Sequence, residues 1–140
     1  TTACARITGG LIAGGRVIAV GQMTETAFAD VVQVYDPAAN TWAAGPSLPG
    51  NRSAAGVTAG PDGRIYVAGG ESSLNNVSAT LYQLNAGGTA WVSRAAMPQG
   101  RIFHGFVTLR DGRLAAVGGS SGTGFLASVH TYDVAANAWR

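Results

Sequence analysis

Apolar and polar positions along the chain follow one short programme, repeated three times. Each round opens with an apolar stretch around a glycine, over residues 7–13, 54–59 and 102–109. An arginine stands four residues before that glycine: Arg6 and Gly10, Arg52 and Gly56, Arg101 and Gly105. A tight turn ending in Gly-Arg follows, and twice it contains Asp-Gly (Asp62-Gly63, Asp111-Gly112). That dipeptide between apolar runs predicts a hairpin, because glycine takes a positive φ without steric cost. A second run, 17–20, 65–68 and 114–117, is apolar on both faces and predicts a strand buried on both sides. It ends in Gly69-Gly70 and Gly118-Gly119, with Gly21-Gln22 in the first round.

Polar loops are predicted next, over 22–30, 71–78 and 120–127. A third strand follows over 31–35, 79–84 and 128–132, which places Tyr35, Tyr82 and Tyr132 at matched positions. A turn rich in Asn, Gly and Ala leads to a fourth strand, running from Trp42 and Trp91 toward Pro49 and Pro98 and cut off at Arg140 in the last round. No stretch carries a 3.6-residue apolar period with helix caps.

The period is explicit. Asp36-Pro-Ala-Ala-Asn-Thr-Trp42 and Asp133-Val-Ala-Ala-Asn-Ala-Trp139 are nearly the same heptapeptide, and the tryptophans at 42, 91 and 139 are 49 and 48 residues apart. A period of that size predicts a repeat architecture. The units are 1–50, 51–99 and 100–140, the last lacking most of its fourth strand. Such a unit exposes two apolar faces, so neighbours must cover both.

Composition narrows the function classes. Charged residues are only 11% of the chain, the basic ones are all Arg, and the formal net charge is +2. A charge so small and scattered argues against nucleic acid as a partner. No apolar run reaches the roughly 18 residues of a spanning helix. Cys4 is the single cysteine, and with two histidines it makes no zinc motif, so no metal or cofactor is expected. A secreted or cell-envelope setting in a bacterium is favoured over the cytoplasm.

The strand-end Gly-Gly, the Tyr some 13 residues on, the Trp seven to nine after that, and the period together resemble kelch repeats over the whole chain. The resemblance implies an all-β fold: three four-stranded antiparallel blades of a β-propeller, the last truncated. It implies that the first strands line a channel and that the strand 2–3 and 4–1 loops open on one face. The Gly, Tyr and Trp positions are then structural, filling space between sheets. Propellers have about 4–8 blades, so three require completion by more of the same polypeptide or by a second copy.

Candidate binding residues lie on the loop face. Phe28 in the first 2–3 loop, Asn75 in the second and Phe125 in the third are candidate partner contacts. Arg6, Arg52 and Arg101 are expected to ring one mouth of the channel, suited to a carboxylate or acidic peptide, or else to backbone carbonyls. His104 is expected on a first strand, facing the channel and titrating near neutrality, or simply hydrogen-bonded in place.

The reading these features favour is a non-catalytic scaffold that binds a protein, peptide or glycan with its loop face. The alternative is a set of non-catalytic blades from a larger kelch-propeller enzyme, similar to galactose-oxidase-like carbohydrate oxidases or sugar-acid epimerases. No Ser-His-Asp or paired-carboxylate spacing supports a catalytic site in this segment. Because end sheets bare apolar faces and open edges, the 140-residue chain alone is not expected to be a stable monomer. A monodisperse monomer at micromolar concentration with cooperative unfolding, seen by ultracentrifugation and calorimetry, would contradict this.

Overall fold

The computed structural model describes residues 8–11, 15–23 and 27–140, and for 8–11, 22 and 23 only the course of the backbone. The described residues form three four-stranded antiparallel sheets and no α-helix. Each sheet is a meander of consecutive strands. The first holds β1 (Thr8–Leu11), β2 (Val17–Met23), β3 (Phe28–Asp36) and β4 (Thr41–Ala44). The second holds β5 (Gly56–Ala59), β6 (Ile65–Ala68), β7 (Leu81–Leu84) and β8 (Trp91–Arg94). The third holds β9 (Gly105–Thr108), β10 (Leu114–Val117), β11 (Val129–Asp133) and the two-residue β12 (Ala138–Trp139). The opening strands neighbour one another, β1 beside β5 and β5 beside β9.

The core lies between the sheets, because successive side chains on a strand face opposite ways. Ile18, Val20 and Val32 of the first sheet meet Ile65, Val67 and Tyr82 of the second. The other face of the second sheet, with Tyr66, Ala68 and Leu81, meets Leu114, Ala116 and Tyr132 of the third. This is why β6 is buried throughout and reads as apolar at every position. The outer sides of the end sheets stay open: Trp42 of the first is 50% exposed, and Val129 of the third 55%.

Strands β6 and β10 coincide with the expected apolar runs; elsewhere the ladder departs from expectation in three places. The first 2–3 loop is shorter than 22–30, because the ladder resumes after a bulge between Val20 and Gln22 and pairs Gln22 with Ala29 and Met23 with Phe28. Phe28 therefore lies on β3, half-buried, and not in a loop. The fourth strands end early, at Ala44 and Arg94, and the chain then continues irregularly beside the third strand through Leu48 N–H to Asp30 O (2.9 Å) and Met97 N–H to Ala79 O (2.8 Å). Lastly, Tyr82 is not the counterpart of Tyr35 and Tyr132. Those two pair with Trp42 and Trp139, whereas Leu84 pairs with Trp91 and Tyr82 sits one pleat away, opposite Ser93.

Consecutive units are also joined through main chain. Gly70 N–H donates to Arg101 O at 2.8 Å, and Phe103 N–H to Ala54 O at 3.1 Å. The approach at Gly69 is so close that a Cβ there would overlap Arg101 O, and its φ is +66°. Gly63, in the opposite turn, has φ +71° and nothing within 4 Å of a Cβ. Gly63→Ala should therefore cost only the left-handed backbone penalty, about 1–2 kcal/mol. Gly69→Ala adds a backbone clash and should cost at least about 3 kcal/mol. Chemical denaturation of the two variants compares them directly; equal costs would mean that the crossing tolerates a side chain.

Candidate functional site

The strand 2–3 and 4–1 connections meet at one end of the sheets, where polar side chains are buried beneath exposed loop tips. Arg101 is wholly buried. Its Nη1 donates to the carbonyls of Gly118 (2.9 Å) and Ser128 (3.0 Å), and its Nη2 to Ser128 Oγ (2.8 Å). Burial lowers its pKa. Arg52 is also buried; it donates to Asn51 O (2.9 Å) and Thr80 Oγ1 (3.1 Å) and lies 5.8 Å from the centroid of the Tyr82 ring. Both guanidiniums thus lie in the wall; Arg101 holds the turn that leaves β10, and Arg52 reaches Thr80 just before β7. A carboxylate would have to displace those acceptors. Arg6, like Cys4, lies outside the described residues.

His104 stands one residue before β9, wedged between the second and third sheets. A Cβ on Gly56 would lie 2.7 Å from its Nε2, and one on Gly69 3.0 Å from its Cε1. Its ring is 6.1 Å from that of Phe106. Both nitrogens are buried and lack a hydrogen-bond partner among the described residues. Burial, aided by the charge of Arg101, pushes the pKa down to about 4. The side chain is therefore neutral at pH 7, neither the neutral-pH titrating group nor the hydrogen-bonded one that the sequence suggests. Beside this cluster Glu71 is buried, with its Oε1 3.5 Å from Ser53 Oγ.

The two loop tips above are polar and firmly built, and each carries one exposed apolar side chain. Phe125 is 97% exposed. Its loop is closed by Ser121 N–H to Gly124 O (2.9 Å), Leu126 N–H to Gly119 O (2.9 Å) and Ser120 Oγ to Gly124 O (3.1 Å). Asn75 is exposed with φ +64° in the neighbouring tip, which is braced by Asn76 Nδ2 to Ser72 Oγ at 2.8 Å. The two tips adjoin, since a Cβ on Gly122 would come 2.9 Å from Val77 Cγ2. Leu74 and Phe103, which sequence reasoning missed, are exposed at the same end. A signal for Phe103 existed: it occupies the place of Ala54 one unit earlier, and both have positive φ.

The opposite end carries a buried polar group of its own. Tyr66 donates to Asp62 Oδ2 at 2.8 Å, and Gln83 Nε2 donates to the same oxygen at 2.8 Å. Burial, and after it the Asp62 carboxylate, raise the Tyr66 pKa well above the ordinary phenol value. Nearby, the exposed Asp111 accepts from Arg113 Nη2 at 2.6 Å, a pairing that lowers the carboxyl's pKa. Among the described residues no three His, Cys, Asp or Glu side chains converge as a metal site would require, and no helix is long and apolar enough to cross a membrane.

Because His104 is neutral when folded down to about pH 4 and protonates near 6.5 when unfolded, the unfolded state binds more protons between those values. Stability is complete above about pH 6.5 and declines as pH falls toward 4, by up to roughly 3 kcal/mol. Urea midpoints at pH 7 and 4.5 should show this decline, and His104→Ala should flatten it; an unchanged slope in that variant assigns the acid sensitivity elsewhere. No protein-family model matches the chain, and no curated protein sequence matches it.

Proposed function

We propose that these sheets are three consecutive blades of a kelch-type β-propeller, completed by further blades of the same polypeptide or of another copy. The assembly is a non-catalytic interaction scaffold whose loop end binds a protein, peptide or glycan. Support for the propeller comes from the repeated meander and from the side-by-side first strands. Support for binding rests on Phe125: an aromatic held 97% exposed by a hydrogen-bonded loop, with Leu74 69% and Phe103 59% exposed at the same end. Large apolar side chains clustered on loops fixed by a rigid sheet mark interaction surfaces. Partner energy concentrates in such aromatics once they are buried.

The arginines enter this reading as supports of the loop end. Arg101→Met strands the Gly118 and Ser128 acceptors and should cost roughly 2–4 kcal/mol. Phe125→Ala combined with Leu74→Ser removes surface contacts alone, and should change stability by less than about 0.5 kcal/mol. On peptide and glycan arrays that double variant is expected to lose the signals of the parent chain at least tenfold. Retained signals would move the binding surface away from these loops.

A further inference from the structure

The third sheet grips the second with a two-point clamp on a single residue. Asn137 Oδ1 accepts the N–H of Ala95 at 2.9 Å, and Trp139 Nε1 donates to the C=O of the same Ala95 at 2.8 Å. Tyr132 completes the clamp, donating to Asn137 Oδ1 at 2.6 Å and lying 5.1 Å from the Trp139 ring. Asn137 holds its place with φ +51°.

The second sheet grips the first differently. Trp91 Nε1 donates to Pro46 O at 2.8 Å. Pro46 has no N–H to offer, and at the matching place, two residues before Trp91, stands Thr89 and not Asn. Presence of the Asn thus tracks presence of an N–H on the residue gripped.

The first sheet carries the same three residues, and no described residue stands where Ala95 stands between the second and third sheets. Tyr35 donates to Asn40 Oδ1 at 2.9 Å, its ring lies 5.1 Å from Trp42, and Asn40 has φ +52°. Trp42 is half exposed, and its Nε1 has no acceptor among the described residues. We infer that Tyr35, Asn40 and Trp42 form a preformed docking clamp for a preceding four-stranded unit, and that the residue it grips, four places after that unit's strand-four Trp, is not proline. The inference takes from the blade reading only that the partner is another such unit. The gripped main chain gives its N–H to Asn40 and accepts from Trp42, as Ala95 does with Asn137 and Trp139.

The test lengthens the chain. Ala95 stands six residues before Arg101, so a copy of residues 51–95 fused directly before Thr1 brings its own Ala95 six residues before Arg6. In the fusion, exchange of the Trp42 indole N–H, assigned with Trp42→Phe, should slow at least tenfold relative to the 140-residue chain. Ala95→Pro in the added copy removes the N–H that Asn40 accepts while leaving the carbonyl for Trp42, as Pro46 does for Trp91; it should lower Tm, and with Asn40→Ala already present it should lower Tm no further. A protected indole together with a Tm loss from Ala95→Pro that is just as large when Asn40→Ala is present overturns the clamp while leaving the docking of units intact. No protection in any fusion overturns both the clamp and the blade reading. Should a fusion not fold, the unextended chain decides: Ala95→Pro must lower Tm by more in the parent than with Asn137→Ala already present, and equal losses overturn the clamp chemistry itself.

Discussion

One main-chain crossing organises the molecule: the segment entering each unit lies against the turn that ends strand two of the unit before. The Arg101 carbonyl occupies the space that a Cβ of Gly69 would fill, and the N–H of Gly70 binds it. Arg52 O approaches Gly21 in the same way, leaving no room for a side chain there. Sheets brought this close must share a core, so aliphatic side chains fill one boundary and aromatic ones much of the next. The arginines follow from the same geometry. A turn that bends on left-handed glycines leaves carbonyls facing inward, and buried carbonyls need donors. Arg101 supplies them from the crossing segment itself.

Much of this was legible in the sequence, for reasons that can be located. β6 and β10 were read to the residue because glycine turns bound an apolar run at both ends. The lengthening of β2 and β3 was hidden, since a polar stretch such as 22–30 gives no apolar period even when it pairs. The misplaced Tyr82 shows the limit of matching residue types. Its Tyr-to-Trp distance is nine residues against seven in the other units, and strand register follows backbone pairing, not the identity of the ring.

The site was legible in position more than in environment. Arg52 and Arg101 do stand at the start of a crossing, but whether a guanidinium faces solvent or a carbonyl depends on a turn some 17 to 27 residues away in sequence. His104 was hidden for the same reason, because its pocket is built from Gly56 and Gly69 of the preceding unit. Phe125 was readable, since an aromatic inside a Ser/Gly tip has few neighbours of its own to cover it. Thr89 against Pro46 became informative only once the tryptophans had been seen reaching across to the neighbouring backbone.

The two boundaries between sheets differ in their response to protons. The first is mainly aliphatic, with Ile18, Val20, Val32, Ile65 and Val67. The second holds both a phenol that burial keeps protonated and an imidazole that burial keeps neutral. Acid acts there through one ring and alkali through the other, so either extreme of pH loosens the same seam. The array should come undone at that seam first, the leading pair of sheets staying together as the third comes away.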